Sequence, residues 1–413
     1  MKRRMRMAGV LAVFLVWFAA CKEQQVTSVC GGACIDVATA AELSAALSSA
    51  STCVCVLEGT YEGQFSVATP KDLVGLGTNK TILSSKDGTP LTVRSGNVTV
   101  SNLGVKLDLA EKAEIPAVRV EPATDTPILF SVDFSRIAIS AKNGGGIRVT
   151  DTSPFTLANV TVTADTKGIV LLGATSATLS GISVSDCGRM GIAFANGAKG
   201  VVSSSEILRN GYTGVWLQDT AEIRFLKTTI RDNALAGINI VNAKNILIEQ
   251  SEISSSKIIT GREEADGIVV YTPELAGDPI MAGDPIMQRA FTLLNSTIRD
   301  NPRAALIFDG TAVSAGKELK SMLLDGVTIF RMAYGIVFQN GLAPESFNDA
   351  GAVSETYSEG YETGTSDRDG ETDQSPIAGD EGTVFTDMEE LPDVDTPSTN
   401  NGALPIENEK ESF

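Results

Sequence analysis

Hydrophobic residues recur at a constant interval through the middle of the chain. A Gly-Ile or Gly-Val pair, here called a glycine mark, opens each repeat, and the first five marks follow one another at intervals of 22 or 23 residues. The marks start at Gly146, Gly168, Gly191, Gly214, Gly237, Gly267 and Gly335, with Ala305 in the equivalent position of one repeat. In every repeat the residue after the mark and the residue two positions later are apolar. This alternation predicts a short β-strand, because successive side chains of a strand point to opposite faces.

The same register continues after each of these strands. One set of apolar positions comprises Leu157, Leu179, Val202, Phe225 and Ile248, and a second set comprises Val162, Val184, Ile207, Ile230 and Ile253. Polar residues are interleaved with them. A constant period of this kind predicts a solenoid, in which each coil of the chain places its strands on those of the previous coil.

Two rows of turn-forming residues mark the corners of the predicted coils. Five residues after the marks stand Asp151, Gly173, Asn196, Asp219, Asn242, Gly310 and Asn340. The second row contains Asp165, Cys187, Asn210, Asn233 and Asn301. Most of these residue types tolerate a left-handed backbone or hydrogen-bond their own turn. We therefore interpret Asp151 and Asp219 as corner residues and the lone Cys187 as a small buried filler.

Several repeats contain an Ile-x-x-Asn unit shortly before the next mark. These units are Ile207-Leu-Arg-Asn210, Ile230-Arg-Asp-Asn233 and Ile298-Arg-Asp-Asn301. In this form the repeat resembles the Ile-x-x-Asn-x-x-x-Gly-Ile repeats of pectin-lyase-like proteins. The resemblance implies an all-β fold in which residues 69–341 form a right-handed parallel β-helix.

The same resemblance implies several enzyme activities. Polygalacturonase-like hydrolases and the alginate-epimerase-like group depend on a histidine-containing motif, and this chain has no histidine. Pectate lyases use an arginine base with calcium held by aspartates. The nearest match is Arg299-Asp-Asn-Pro-Arg303, which lacks the later arginine of that motif. We therefore assign no catalytic residue and no required cofactor, and whether the protein is an enzyme stays open.

Residues 36–68 are predicted to close the N-terminal end of the solenoid. Thr39 and Glu42 have the spacing of a capping box, and the residues after them form an apolar stripe that includes Leu43 and Leu47. A helix in this place would hide the open strand edges at the end of the stack from other chains.

The N-terminus has the pattern of an export signal. Residues 1–20 combine a basic start, a short apolar run and two alanines, and Cys21 follows directly. This arrangement resembles the lipobox of bacterial lipoproteins, although Phe18 stands where that motif prefers Leu. We expect lipidation at Cys21, a lipid-anchored linker over 21–35, and an outer-membrane lipoprotein on the periplasmic or cell-surface face. An uncleaved membrane anchor is the alternative, but the apolar run is marginal for spanning a bilayer.

Export permits disulfide bonds, and four cysteines lie close together in the mature N-terminal part: Cys30, Cys34, Cys53 and Cys55. Cys53 and Cys55 lie two apart on one predicted strand, so a bond between them is disfavoured. We expect one or two bridges from Cys30 and Cys34 to that strand, in either connectivity. A metal cluster of these thiols is the alternative.

The charge of the chain is concentrated at its C-terminus. The formal charge is −18 over 413 residues. Residues 342–413 carry 19 Asp or Glu but only Arg368 and Lys410 as basic residues, so we predict a disordered acidic tail. The acid excess argues against a nucleic-acid partner.

The outward positions of the glycine-mark strands are unusually apolar. They read Arg148, Val170, Ala193, Trp216, Asn239, Val269, Ile307 and Val337 in one row, and Thr150, Leu172, Ala195, Gln218, Val241, Tyr271, Asp309 and Gln339 in the next. An apolar exterior of this size must be covered by something. One interpretation is a binding face for glycan or a protein partner, formed by Trp216, Tyr212, Tyr271, Asn239 and Gln218. Cover by the chain's own loops is the alternative.

Two long loops near this face are rich in acids. Glu263, Glu264, Asp266, Asp278 and Asp284 supply oxygen ligands, so a calcium site is an option there. The sequence favours a non-catalytic envelope lipoprotein that presents an elongated surface to a glycan or an envelope protein. The alternative is a lyase or hydrolase that acts on acidic polysaccharide through carboxylates, arginine and possible calcium.

Overall fold

The computed structural model describes residues 28–123, 127, 129, 131–258, 265–271, 289–309, 319–332, 334–339, 347–349 and 354–356. The one described helix is α1 (Ala40–Ser48). In chain order the strands are β1 (Ile35–Val37), β2 (Cys53–Val56), β3 (Gly59–Glu62), β4 (Phe65–Val67), β5 (Lys71–Gly75), β6 (Thr81–Ser85), β7 (Leu91–Val93), β8 (Val98–Asp108), β9 (Pro116–Val120), β10 (Val132–Lys142), β11 (Gly145–Thr150), β12 (Phe155–Ala164), β13 (Ile169–Leu172), β14 (Ser176–Ser180), β15 (Ser183–Ser185), β16 (Ile192–Ala195), β17 (Lys199–Ser203), β18 (Glu206–Leu208), β19 (Thr213–Leu226), β20 (Thr229–Arg231), β21 (Ala236–Glu249), β22 (Glu252–Ser254), β23 (Asp266–Tyr271), β24 (Arg289–Leu294), β25 (Thr297–Arg299), β26 (Ala304–Asp309), β27 (Leu319–Asp325), β28 (Thr328–Phe330), β29 (Tyr334–Gln339), β30 (Phe347–Asp349) and β31 (Ser354–Thr356).

These strands form three parallel ladders along one stack of coils. Sheet A contains the glycine-mark strands and runs β4, β7, β9, β11, β13, β16, the first parts of β19 and β21, then β23, β26 and β29. Sheet B runs β1, β2, β5, the first parts of β8, β10 and β12, then β14, β17, the second parts of β19 and β21, β24, β27 and β30. Sheet C runs β3, β6, the second parts of β8, β10 and β12, then β15, β18, β20, β22, β25, β28 and β31. The predicted parallel solenoid is therefore confirmed.

The register of the ladders follows the sequence repeat. Ile147 pairs with Ile169, Ile169 with Ile192, and Ile192 with Val215. The predicted inward residues of all three sheets that the structure describes are at most 8% exposed and form one core that runs through the stack. Each added coil buries its apolar side chains against the previous coil. An isolated repeat therefore cannot bury enough apolar surface to fold, whereas a stack of repeats is stable.

The predicted corner residues take the conformations that their types allow. Asp151, Asn196 and Asp219 have φ of 47°, 56° and 50°, in the left-handed region. In the second row, the side-chain oxygen of Asn233 accepts hydrogen bonds from the backbone N and the side-chain Nδ2 of Asn210, at 3.0 and 2.8 Å. Cys187 is 1% exposed, and burial raises the pKa of its thiol to about 12, as suits a filler and not a nucleophile.

The N-terminal segment contains the predicted helix and capping box. Thr39 begins α1 with a capping box, in which its hydroxyl accepts from the backbone N of Glu42 and the Glu42 carboxylate accepts from the backbone N of Thr39. Disulfides join Cys30 to Cys55 and Cys34 to Cys53, which selects one of the two connectivities left open by the sequence. The metal-cluster alternative is wrong, because all four thiols are consumed by these bonds.

The predicted boundaries of the solenoid are too narrow at both ends. Strands β2, β3 and β4 pair with β5, β6 and β7, so a full coil already lies within the predicted cap 36–68. Strands β30 and β31 pair with β27 and β28 inside the predicted tail 342–413. The reason is the same at both ends: short strands without a glycine mark still complete a coil when a neighbouring ladder offers its open edge.

Other predictions fall on parts of the chain that are not described. Residues 1–20 and Cys21 lie outside the described residues, and so does nearly all of the acidic tail. Within the described part of the chain, no helix is long and apolar enough to cross a membrane.

Candidate functional site

The predicted aromatic binding face is not exposed. Trp216 is 1% exposed, Gln218 2% and Asn239 3%. The indole Nε1 of Trp216 donates to the side-chain oxygen of Gln218 at 3.3 Å, and the half-buried Tyr212 ring lies 6.3 Å from the Trp216 ring. The prediction that Trp216 serves as an open stacking platform is wrong for the protein in this conformation. Tyr271 lies on β23, and its side chain is outside the described part of the structure.

Trp216 is inaccessible because it belongs to an outward apolar row of sheet A that is buried from solvent along several coils. A second buried cluster contains Val170, Leu172, Met190, Ala193, Ala195, Trp216, Leu235 and Val241, all on the outer side of this sheet or at its edge. Their exposed fractions are 6% or less. Burial of this row begins at Val170, whereas Arg148 in the preceding coil keeps partial access to solvent.

The loop acids do not form a metal site in the part of the chain that is described. Asp266 is 1% exposed and accepts from both the Nε and an Nη of Arg303. Arg303, the nearest match to the lyase arginine, is thereby bound to a carboxylate instead of facing a cleft. Across the described ranges no three Cys, Asp or Glu side chains lie close enough to hold a metal ion. Glu263, Glu264, Asp278 and Asp284 are outside those ranges.

A cleft opens where the burial of the outer row begins. Its lining includes Glu114, Gly145, Arg148, Thr166, Lys167 and Val170, and it is partly open to solvent. We call this site the cationic cleft. It lies on sheet A, between the start of β9, strand β11 and the turn that leads into β13.

The turn before β13 fixes the position of the cleft. The backbone N of Thr166 donates to the carbonyl of Gly144 at 3.1 Å, and the backbone N of Gly146 donates to the carbonyl of Lys167 at 2.9 Å. The backbone N of Arg189, one coil further on, donates to the carbonyl of Thr166 at 3.0 Å. Because three coils hydrogen-bond in register here, side chains from distant parts of the sequence meet at one place.

Lys167 is the most deeply buried charge in the cleft. Its side chain is 4% exposed, and its Nζ lies 3.7 Å from Oε2 of Glu114. Arg189 lies 3.9 Å from the other oxygen of the same carboxylate. Burial lowers the pKa of Lys167; Glu114 raises it, and the cations of Arg189 and Arg148 lower it. The net direction is downward, and burial is the largest cause.

A second pair of cations extends the cleft along the sheet. Arg148 pairs in register with Arg119 of the preceding coil. Burial and the neighbouring Arg119 cation both lower the pKa of Arg148, while Glu121 and Glu114 raise it. The cleft and its rim thus gather four cations, Arg119, Arg148, Lys167 and Arg189, around two carboxylates, although the chain as a whole is acidic. A local excess of positive charge favours an anionic ligand.

One wall of the cleft contains an unsatisfied hydroxyl. Thr166 is 1% exposed, and its Oγ1 has no hydrogen-bond partner among the described atoms. A Cβ built on Gly145 would lie 3.3 Å from this oxygen, so the glycine leaves space beside the hydroxyl that a side chain would fill. A buried polar group without a partner costs about 1–3 kcal/mol, and proteins seldom retain one without a reason.

Sequence reasoning missed this site, but the sequence contains a signal for it. Arg148 is the only charged member of the first outward row, which is otherwise apolar or uncharged. Lys167 directly precedes a glycine mark, a position held by Gly145, Met190 and Thr213 in neighbouring repeats. A charge in the outward row, next in space to a second charge that directly precedes a glycine mark, is the signal that could have indicated this site.

The arrangement suits chemistry on an acidic sugar. Arginines bind carboxylates and reduce their negative charge, which makes a proton on the adjacent carbon easier to remove. Burial lowers the pKa of Lys167, and a lysine whose pKa is lowered is easier to deprotonate for use as a general base. No imidazole is needed, which matters in a chain without histidine.

Comparisons with known proteins agree with the architecture. The family model described as a right handed beta helix region matches residues 123–273. No curated protein sequence matches the chain. The A-module of the mannuronan C-5 epimerase AlgE4 from Azotobacter vinelandii is similar in structure, with a TM-score of 0.62 at 15% identity over 84% of this chain and 95% of that one. The catalytic unit of a GH87 alpha-1,3-glucanase from Streptomyces thermodiastaticus gives a TM-score of 0.52 at 16% identity over 80% of this chain and 68% of that one. The fold is therefore a right-handed parallel β-helix.

Proposed function

We propose that this protein acts on an acidic polysaccharide at the cationic cleft and cleaves it by β-elimination. The observation that carries the proposal is the position of Lys167, a buried amine with a lowered pKa, beside Arg148 in a solvent-open cleft. Perturbed titratable groups in clefts are typical of functional sites.

In the proposed reaction the arginines bind the carboxylate of a uronic acid residue. The free amine of Lys167 removes the proton from the ring carbon that bears this carboxylate. The bond from the neighbouring ring carbon to the glycosidic oxygen then breaks, a carbon–carbon double bond forms, and the resulting ammonium returns the proton to the leaving oxygen. The products are a new chain end and an unsaturated uronate, and no oxidant or water is consumed.

Two further observations support a carbohydrate substrate. Structures similar to this fold include a mannuronan epimerase and an alpha-1,3-glucanase, so polysaccharide chemistry is known on this architecture. The cleft also lies on a long, regular face, which suits a polymer more than a small metabolite. This proposal takes precedence over non-catalytic display, because the residues on which that hypothesis depended, Trp216 above all, are buried.

The test is product formation from purified polyuronates. The protein is incubated with mannuronan and with polygalacturonate, and unsaturated uronate is followed by its ultraviolet absorbance and by mass spectrometry. Lys167→Met should reduce the rate by about 100-fold or more. Lys199→Met, an exposed lysine on sheet B, is the matched control and should leave the rate unchanged. Absence of unsaturated product from every polyuronate would contradict the proposed elimination.

We also propose that this activity is located at the cell envelope, with Cys21 as the lipid anchor. The N-terminal signal pattern supports this, and the two disulfides fit an oxidising compartment. Metabolic labelling with a radioactive fatty acid should label the wild-type protein and not Cys21→Ser. Equal labelling of both proteins would contradict the anchor.

A further inference from the structure

We infer that the Thr166 hydroxyl is a specificity-determining group that binds an anionic oxygen of the sugar ligand. This inference rests on the proposed function, because it assigns a recognition role within the same cleft. It starts from geometry: the hydroxyl is buried, lines the cleft, and has no partner among the described residues.

The surroundings define what kind of atom the hydroxyl takes. The Arg148 guanidinium of the same cleft is a donor without lone pairs, and the amino group of Lys167 carries N–H donors in either protonation state. The Thr166 hydroxyl can rotate to add one more donor to this set. Converging donors select an acceptor with negative charge, which in a polysaccharide is a carboxylate or a sulfate oxygen.

The glycine beside the hydroxyl, Gly145, supports this assignment. Gly145 has a backbone conformation that other residues also adopt, so a turn does not require glycine here. Its missing side chain instead leaves space beside the hydroxyl, since an added Cβ would approach Oγ1 to 3.3 Å. A buried, unpaired hydroxyl with space beside it is poised for a ligand atom that completes its hydrogen bonding.

The experiment compares binding by Thr166→Val, Thr166→Ser and the wild-type protein. Valine has the shape of threonine without the hydroxyl, and serine keeps the hydroxyl. Binding of oligomannuronate is measured by calorimetry, beside a sulfated and an uncharged gluco-oligosaccharide of equal length. Thr166→Val should weaken binding of the anionic ligand by about 10- to 100-fold, and Thr166→Ser should restore it to within a few fold. Preference for the carboxylated or the sulfated ligand identifies the anionic group.

Two more variants separate recognition from structure. Thr213 is fully buried on sheet A, and its hydroxyl also lacks a described partner, so Thr213→Val is the matched control and should leave binding unchanged. Gly145→Ala keeps the hydroxyl but places a methyl group 3.3 Å from it, in the space beside it, and should weaken binding as Thr166→Val does. Thermal unfolding without ligand should show Thr166→Val at least as stable as wild type, because it removes an unsatisfied group.

The outcomes distinguish this inference from the proposed function. If Thr166→Val binds the anionic ligand as well as wild type while Lys167→Met does not, the role of Thr166 is overturned and the cleft stands. If Thr166→Val weakens binding only as much as it lowers thermal stability, the role is structural and the inference is overturned. If the wild-type protein binds neither anionic ligand, both the inference and the proposed function are wrong.

Discussion

The ammonium of Lys167 lies 3.7 Å from the carboxylate of Glu114, although the lysine is almost fully buried and the glutamate is half exposed. The pair joins a turn before β9 to a turn before β13, so it spans two steps of the coil. Glu114 therefore adjusts the protonation of a buried amine from the rim of the cleft, which leads to a testable pH dependence.

Activity should rise with pH as the Lys167 ammonium loses its proton. Burial places the pKa of Lys167 below the ordinary lysine value of 10.5, and Glu114 partly opposes this shift. Replacing Glu114 by Gln removes the opposing charge, so the pKa falls further and the rising limb of the pH–rate profile moves to lower pH. Glu206→Gln, an exposed position on sheet C, should leave the limb in place. A shift of the limb to higher pH in Glu114→Gln would contradict the assignment of Lys167 as the base.

Trp216→Ala should lower the free energy of unfolding without weakening the binding of oligomannuronate. The indole is 1% exposed within the second buried cluster, so its removal leaves a cavity and lowers the free energy of unfolding by about 3–5 kcal/mol. Trp216→Phe should cost less, because the ring remains. Denaturant unfolding measures the stability, and calorimetry with oligomannuronate measures binding. Strong loss of binding in a folded Trp216→Phe protein would revive the aromatic face as the ligand site.

The second row of corner residues, which contains Asn210 and Asn233, should contribute strongly to the stability of the stack. Asn233 accepts two hydrogen bonds from Asn210 and donates its own amide to the carbonyl of Ile207 at 3.1 Å. Asn233→Ala leaves buried donors and an acceptor unpaired, and should lower the free energy of unfolding by about 2–4 kcal/mol. Asn79→Ala, at an exposed turn, serves as the control in thermal unfolding. Equal melting temperatures of the two variants would show that the row contributes little.

The disulfides should stabilise the N-terminal cap. The bonds Cys30–Cys55 and Cys34–Cys53 close segments with sequence separations of 25 and 19 residues. By the loop-entropy relation each contributes about 3 kcal/mol against the unfolded state. Replacing Cys34 and Cys53 together by serine should raise amide hydrogen exchange in β1, β2 and α1 before it affects sheet A near Val215. Uniform exchange across the protein would instead indicate one cooperative unit.

The architecture was predictable because the repeat is local and periodic. Each glycine mark specifies a strand, and the constant interval stacks the strands, so Ile147, Ile169 and Ile192 were placed in one ladder from sequence alone. The ends were less predictable, since β30 and β31 carry no mark and form by adding to an existing edge.

The site was predictable only in part. The outward direction of Trp216 was correct, but its burial depends on packing that no periodicity encodes. The sequence did not predict the cleft, because the role of Lys167 depends on its ion pair with Glu114, and Glu114 lies in a turn outside the regular repeat. Thr166 could not be identified either, because a missing hydrogen-bond partner is a property of the folded structure.

Calorimetry of oligomannuronate binding to wild-type protein, Arg148→Ala and Arg224→Ala at two salt concentrations tests whether the cationic cleft binds an anionic polysaccharide. Arg148 belongs to the cationic cleft, whereas Arg224 pairs with Glu222 on the outer side of sheet B. We expect the wild-type protein to bind with an affinity that falls as the salt concentration rises, Arg148→Ala to lose about 10-fold or more in affinity, and Arg224→Ala to bind as wild type does. Absence of binding to the wild-type protein, or equal affinity of Arg148→Ala and wild type, would contradict a ligand site at the cationic cleft.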